Sequence, residues 1–185
     1  MIHVKLTGAA LALAMVAGAA PSFAQTPPPP PPPEAMTQAM PYVMAAGMSD
    51  LYEINSSQIA LQKTQNPKIR QFANMLIKDH TKTTAATMKA ARRAGLNPPP
   101  PMLDAATTAS ITELQNASAA DFDRLYIGQQ IPAHQAAFQL HSHYANAGDQ
   151  APLRTSARAA VAPVQHHLDM ATKMQKDMMG KMSGM

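Results

Sequence analysis

The stretch NPKIRQFANMLIKDHTKTT, residues 66–84, decides the fold, because its apolar side chains recur with the period of an α-helix. Asn66 followed by Pro67 is typical of a helix start, with a capping side chain before a proline in the first turn. At about 100° per residue, the apolar positions around Leu76 lie within about 60° of one another, and His80 falls among them. A histidine therefore lies on the stripe that should pack against the rest of the protein.

Similar patterns predict four long helices and one short helix. The long helices are predicted at 41–65, 67–94, 121–147 and 149–176, and the short one at 104–114. No segment alternates with a period of two, so no strand is predicted. Tight turns join the long helices into two antiparallel hairpins, and the connection of about 25 residues between the hairpins can cross their full length. The predicted fold is all-α, a ferritin-like four-helix bundle with a short extra helix in the crossover.

The N-terminal residues 1–24 have the pattern of an export signal. Lys5 precedes an apolar run, and Ser22-Phe23-Ala24 is a small-x-small cleavage pattern. The run is short, rich in glycine and alanine, and broken by Pro21, so no stable membrane span is predicted after cleavage. We expect a periplasmic or secreted protein.

Two further segments flank the helical domain at 41–176. Residues 25–40 form a proline-rich linker, in which seven consecutive prolines at 27–33 predict a stiff polyproline spacer. The same prolines are alternatively a peptide ligand for a partner in the cell envelope. Residues 177–185 form a methionine-rich tail that we expect to be disordered.

The composition excludes several classes of function. The net charge is +4, and no basic stripe is interleaved with aromatic residues, so nucleic acid is not a predicted partner. The chain contains no cysteine, which rules out disulfides and thiol chemistry. We find no nucleophile–base pair and no glycine-rich phosphate loop, so nothing in the sequence requires catalysis.

One polar side chain per long helix is predicted to point inward near mid-helix. These residues are Glu53, His80, His134 and His167. A buried imidazole or carboxylate without a partner costs about 1–3 kcal/mol or more, so four at one level need a common partner. A transition-metal ion such as Zn, Fe, Mn or Cu would satisfy them, because neutral imidazole donates a lone pair and a carboxylate offsets charge.

Neighbouring residues extend this candidate site. Asp79 and Asp50 are predicted acceptors for the outer ring N–H groups of the histidines. His141 lies two turns from His134, about 10 Å along the helix, and marks either a second site or a core histidine. The alternative to a metal is a polar plug, in which the buried groups bond to one another and to a water and fix the register of the bundle. The protein would then be a structural or interaction module of the envelope.

Four segments carry a resemblance to a known family. They are YEI at 52–54, NPKIRQFANMLIKDHTK at 66–82, FDRLYIGQQIPAH at 122–134 and HHLDMA at 166–171. Together they resemble the bacterial exported family catalogued as domain of unknown function 4142, over nearly all of residues 41–175. The resemblance implies a ferritin-like fold and the functional residues Glu53, Asp79, His80, His134 and His167.

The chain departs from the family pattern at one position and from di-iron ferritins in one motif. Pro132 stands where the family usually has an ordinary helix former, and it removes one helical hydrogen bond. The Glu-x-x-His pairs of di-iron ferritins are also missing, because the residues three positions before the three histidines are Ile77, Ile131 and Val164. Too few carboxylates remain to bridge two irons, which argues against ferroxidase chemistry.

The chain contains 15 methionines, many of them in two rows with a spacing of four. Soft thioether sulfur prefers Cu(I), so methionine and histidine together would suit copper. The alternatives are flexible core filling and scavenging of oxidants. The two rows are Met36, Met40, Met44 and Met48, and Met170, Met174, Met178 and Met182.

Overall fold

The computed structural model describes residues 30–183, which contain five α-helices and no strand. The all-helical class predicted from the sequence is therefore confirmed. One turn of 3-10 helix at Pro33–Met36 comes first. The helices that follow are α1 (Ala39–Lys63), α2 (Pro67–Arg93), α3 (Ala105–Asn116), α4 (Ala119–Ala147) and α5 (Ala151–Ser183). The predicted signal peptide at 1–24 lies outside the described residues.

Side-chain caps begin several of these helices where the sequence predicts them. The Asn66 side chain accepts a hydrogen bond from the backbone N–H of Lys68 at 3.0 Å, and proline occupies the first turn. The Ser118 hydroxyl accepts from the N–H of Asp121 at 3.2 Å at the start of α4. These caps satisfy N–H groups that have no partner inside the helix.

The four long helices pack so that each contacts two others. Helix α1 packs against α2 and α4, and α5 packs against the same two helices. One apolar cluster joins the start of α1 to the end of α4, through Tyr42 and Tyr144. A second cluster joins the start of α2 to the start of α4, through Phe72 and Phe122. Helices α2 and α4 therefore run parallel, and the connection between them crosses the length of the bundle.

Two contacts hold this crossover against the long helices. A β-carbon added at Gly47 would lie 3.0 Å from Cγ of Pro101, so glycine allows the proline segment to pack closely on α1. At the far end, Nζ of Lys63 donates to the carbonyl oxygens of Leu114, Gln115 and Ala117 at 3.2, 2.6 and 2.8 Å. A cation here satisfies carbonyls at the C-terminus of α3.

Helix α5 is longer than the sequence suggests. It continues to Ser183, so residues 177–183 are helical where the sequence predicted the start of a disordered tail. The reason is tertiary support, because Met174 and Met178 pack against the second apolar cluster near the predicted end. The predicted linker at 25–40 also differs, since the 3-10 turn and the start of α1 lie within it. Within residues 30–183, none of the helices combines the length and apolar character needed to cross a membrane.

Candidate metal centre

Three buried histidines from three helices meet in the middle of the bundle. His80 comes from α2, His134 from α4 and His167 from α5. Their ring centroids are 5.3 to 5.5 Å apart. One ring nitrogen from each lies within 4.8 Å of those of the other two. These three side chains are therefore a group that could hold one metal ion.

Each imidazole bonds to an outer acceptor through one nitrogen. Nδ1 of His80 lies 2.8 Å from Oδ1 of Asp50. Nδ1 of His134 lies 2.9 Å from the carbonyl oxygen of Gln130, and Nε2 of His167 lies 3.3 Å from Oδ2 of Asp79. A carbonyl or an ionised carboxylate only accepts hydrogen bonds, so the nitrogen facing it carries the proton.

The second nitrogen of each ring makes no hydrogen bond to any described residue. These atoms are Nε2 of His80, Nε2 of His134 and Nδ1 of His167, and all three are buried. When the ring is neutral and its proton is on the other nitrogen, each of these atoms has a lone pair in the ring plane. In metal sites, a carboxylate or carbonyl that accepts from one ring nitrogen orients the histidine so that its other nitrogen faces the metal. The three histidines have this arrangement of outer acceptors.

Glu53 on α1 lies beside this group without joining it. Its Oε1 is 3.6 Å from Nδ1 of His134, and neither carboxylate oxygen hydrogen-bonds to another described residue. Among residues 30–183, the group whose ligand atoms all lie within 4.8 Å consists of the three histidines. The structure thus brings three of the four predicted ligands together and places the fourth next to them.

Burial and neighbouring charge set the protonation of the three histidines. Burial, and then the charge of His80, lower the pKa of His134 well below its usual value and that of His167 to about 4. Burial also acts to lower the pKa of His80, but the hydrogen bond and charge of Asp50 outweigh it, so this pKa is raised. Two of the three rings are therefore neutral at pH 7 and able to donate a lone pair.

Burial raises the pKa of Glu53 to about 8, while the charge of His80 and the nearby Gln130 amide oppose the shift. In the absence of a cation this carboxyl group is mostly protonated at neutral pH. A metal ion among the histidines would favour the carboxylate, because an opposite charge nearby stabilises the ionised form.

The two outer carboxylates differ in their surroundings. Asp50 is buried and also accepts from the Thr84 hydroxyl at 2.9 Å, which fixes its second oxygen. The Asp79 side chain is 32% exposed and has Lys82 at 4.0 Å. Asp50 therefore holds His80 in a rigid setting, whereas Asp79 holds His167 at the edge of the bundle.

His141 lies apart from the three-histidine group. Its Nδ1 is 2.9 Å from the Tyr42 hydroxyl, and the Tyr42 ring stacks on that of Tyr144 with centroids 3.9 Å apart. Burial lowers the pKa of His141 to about 4. This histidine is a hydrogen-bonded member of the aromatic cluster at the end of the bundle.

The predicted site omitted Gln130 and Thr84, which the structure places around it. Gln130 orients His134 through its carbonyl oxygen, and its side-chain amide donates to the Ser56 hydroxyl at 3.2 Å. Its position four residues before His134, on the same helical face, was a usable signal. Thr84 carried the same signal, because it lies four residues after His80 on α2, but its partner Asp50 belongs to another helix.

A cavity of about 440 Å³ lies outside this group, between α1, α3 and α4. Its walls include Met48, Tyr52, Glu113 and Gln129, but none of the three histidines. Tyr52 donates to the Gln129 side chain at 2.9 Å, and Gln129 donates to Glu113 at 3.0 Å. Tyr52, Gln129 and Glu113 therefore form a hydrogen-bonded chain along the wall of the cavity.

Fold and site together define an all-helical bundle with a buried three-histidine group. The family model described as Domain of unknown function (DUF4142) matches residues 24–174, and the chain belongs to this family. The resemblance stated from the sequence motifs is confirmed. No curated protein matches the sequence.

Several solved structures are similar in fold. CopM in the Cu(I)-bound form matches with a TM-score of 0.66 and 18% identity, over 76% of this chain and 96% of CopM. CopM in the Cu(II)-bound form matches with a TM-score of 0.65 and 16% identity, over 76% and 97%. A DUF305 fragment from Deinococcus radiodurans matches with a TM-score of 0.66 and 15% identity, over 80% and 99%. At these identities the similarity is one of fold.

Proposed function

We propose that the protein binds a transition-metal ion through Nε2 of His80, Nε2 of His134 and Nδ1 of His167, and acts in metal handling or stress tolerance. The observation that carries the proposal is that one ring nitrogen of each histidine lies within 4.8 Å of those of the other two, and that each ring has one buried nitrogen with no hydrogen bond to a described residue. The alternative, a polar plug, would satisfy the same atoms with one another and with a buried water, because an unpaired buried polar group costs about 1–3 kcal/mol. An ion satisfies all three together.

The surrounding residues have supporting roles in this proposal. Asp50 and Asp79 accept from the outer nitrogens of His80 and His167, which keeps the inner lone pairs directed at the ion. Glu53, 3.6 Å from the His134 ring, supplies negative charge and is the candidate fourth ligand. Its carboxylate would offset the charge that a divalent ion brings into the bundle.

Copper is the metal that we favour among Zn, Fe, Mn and Cu. Imidazole nitrogen suits copper and zinc, whereas manganese prefers carboxylate and water oxygen, and the converging group contains only imidazole. The similar structures of CopM were solved with Cu(I), Cu(II) and Ag, which supports a copper ion on this fold. We propose metal binding without catalysis.

The setting of the protein is part of the proposal. The signal pattern at 1–24 supports a periplasmic or secreted location, with the polyproline segment at 27–33 as a spacer or as a contact for an envelope partner. The parallel course of α2 and α4, with a crossover along the bundle, supports a ferritin-like arrangement.

Metal content of the untagged protein tests the central claim. We compare wild type with His80→Ala and with His143→Ala, a matched control in which an exposed histidine is removed. Elemental analysis and competition with a chromogenic chelator should show about one ion per chain in wild type and the control, and at least about tenfold weaker binding in His80→Ala. Saturating copper or zinc should raise the melting temperature of wild type, since a ligand that binds only the folded state stabilises it.

The opposite results support the structural module instead. If wild type holds no more Zn, Cu, Fe or Mn than His80→Ala, and added metal leaves its melting temperature unchanged, the three histidines serve stability alone. The protein would then be an interaction module of the envelope with a polar core.

A further inference from the structure

Helices α2 and α5, which the contact between Asp79 and His167 joins, carry partly buried methionines. Met75 on α2 and Met170 and Met174 on α5 are partly buried, and all three pack against the second apolar cluster. The proposed histidine site does not use them. Their relative positions follow from contacts that fix how α2 and α5 lie against each other.

Two contacts set the register of these antiparallel helices. Oδ2 of Asp79 lies 3.3 Å from Nε2 of His167, and the Thr87 hydroxyl lies 3.4 Å from that of Ser156. Met75 is four residues before Asp79, about 6 Å along α2. The helices are antiparallel, so the level of Met75 corresponds to a position about four residues after His167 on α5. That position lies between Met170 and Met174, which come three and seven residues after His167.

The direction of each methionine follows from the same contacts. Met75 is one helical turn from Asp79, so its side chain leaves α2 on the side that faces α5. Met174 comes 18 residues after Ser156, about five full turns, and therefore projects from α5 in the direction of Ser156, toward α2. Met170 is one turn before Met174 on that side. The register and the helical phase thus place three thioethers along the groove between α2 and α5, within about one helical turn of one another.

We propose that Met75, Met170 and Met174 form a second metal site, specific for a soft monovalent ion, Cu(I) or Ag(I). Thioether sulfur is a soft, neutral ligand, and three of them favour a monovalent ion over Zn²⁺ or Cu²⁺. The partial burial of the three side chains leaves the groove open to an ion from solvent while shielding it from bulk water. The site lies about 6 Å along the bundle axis from the level of Asp79 and His167, and it does not depend on the histidines.

Methionine methyl groups provide a direct measurement of this site. Ag(I), a redox-stable probe, is titrated into the untagged protein with ¹³C-labelled methionine methyls. We expect the Met75, Met170 and Met174 methyl resonances to shift together, saturating within two equivalents, while those of Met36 and Met88 in the first apolar cluster stay in place. Methyls of Met75, Met170 and Met174 that do not move would overturn the proposal, and this measurement needs no variant.

A leucine variant supplies the affinity. Met75→Leu/Met170→Leu/Met174→Leu preserves volume, so the fold should be retained. Its Ag(I) affinity should fall about tenfold or more, while its Zn(II) affinity should be unchanged. The matched control is Met36→Leu/Met48→Leu/Met88→Leu, which removes three partly buried thioethers elsewhere. An equal loss of Ag(I) affinity in the control would refute the assignment.

Zn(II) separates this proposal from the histidine site. If wild type binds neither Zn(II) nor Cu(II) but shows the methionine shifts, the histidine site is refuted and the thioether site is supported. If wild type binds Zn(II) through the histidines but Ag(I) does not shift the methionine methyl resonances, only the proposal of the thioether site is refuted.

Discussion

Asp50 of α1 and His80 of α2 are joined by a buried hydrogen bond of 2.8 Å between Oδ1 and Nδ1. The other carboxylate oxygen of Asp50 accepts from the Thr84 hydroxyl at 2.9 Å. Both oxygens are thus fixed by α2, and the imidazole is held with Nε2 directed away from α1. The contact links the α1–α2 hairpin to the candidate metal centre.

Asp50→Asn should weaken metal binding. The asparagine amide has one acceptor oxygen and one NH2 donor, so either His80 loses its acceptor or the Thr84 hydrogen bond reverses its direction, and the ring orientation is less well defined. We expect about 10- to 100-fold lower copper affinity and a loss of about 1–3 kcal/mol in the free energy of unfolding of the metal-free protein. Chelator competition and urea denaturation measure these two effects.

Asp169→Asn is the control for Asp50→Asn, because Asp169 is exposed on α5 and contacts only Gln165 through an exposed hydrogen bond of 2.7 Å. Its metal affinity should equal that of wild type. Equal affinities in all three proteins would contradict an orienting role for Asp50.

Glu53→Gln should make the metal-free protein keep its stability as pH rises toward 8. The pKa of Glu53 is raised from 4.5 to about 8, so between these values the unfolded chain ionises this group and the folded chain does not. Stability therefore falls as pH rises from 4.5 to 8. Glutamine imitates the protonated form, and at pH 8 the variant should be roughly 2–5 kcal/mol more stable than wild type in the presence of chelator.

Denaturation of wild type and Glu53→Gln at pH 5 and pH 8 provides the measurement. The difference in stability between the two proteins should be small at pH 5 and large at pH 8. Added copper should reverse the order at pH 8, because only the carboxylate can offset the charge of the ion. A difference independent of pH would show that Glu53 ionises as an ordinary carboxyl group.

His141→Gln should make the free energy of unfolding less dependent on pH between pH 4 and 7. The pKa of His141 is lowered from 6.5 to about 4 by burial, so below pH 6.5 the unfolded chain takes up a proton that the folded chain refuses. The contribution of His141 to the free energy of unfolding is therefore full above pH 6.5, and roughly 3 kcal/mol of it is lost as pH falls toward 4. Glutamine does not titrate and keeps an acceptor for the Tyr42 hydroxyl. Urea denaturation from pH 4 to 7 tests the slope, which should be steeper in wild type; equal slopes would contradict the assignment.

Gly148→Ala and Gly180→Ala form a matched pair with opposite outcomes. A β-carbon at Gly148 would lie 2.6 Å from Cδ1 and Cζ of Tyr144, whose ring stacks on Tyr42. Displacing that ring should cost about 1–3 kcal/mol. At Gly180, inside α5, an added β-carbon meets no atom within 4 Å, so alanine should stabilise the helix by about 0.5–1 kcal/mol. Thermal melting distinguishes them, and a stabilised Gly148→Ala would contradict the stacking contact.

Local chemistry in the sequence was sufficient to locate the helices. Asn66-Pro67 and Ser118 signal starts that depend only on neighbouring N–H groups, and the structure has both caps. The end of α5 could not be found in this way, since the residues beyond Lys176 carry no stop signal until Gly180, and their support comes from packing on another part of the chain. Helix ends depend on tertiary contacts more than helix starts do.

The candidate site was likewise predictable in part. Helical phase predicted which side chains point inward, and His80, His134 and His167 are indeed buried and adjacent. Phase does not give the distance between helices or the rotation of a ring. For that reason the sequence could not separate Glu53 from the three histidines, nor show which ring nitrogens lack a hydrogen bond.

The sequence by itself determined the helical class, the family and the inward faces, because these depend on periodicity and on residues close together along the chain. Only the tertiary structure decided which nitrogen of each imidazole is engaged and which is free. The partners are Asp50, the Gln130 carbonyl and Asp79, and two of them reach across from a different helix. A hydrogen bond is set within a few tenths of an ångström by helix packing, which no pattern along a single helix contains.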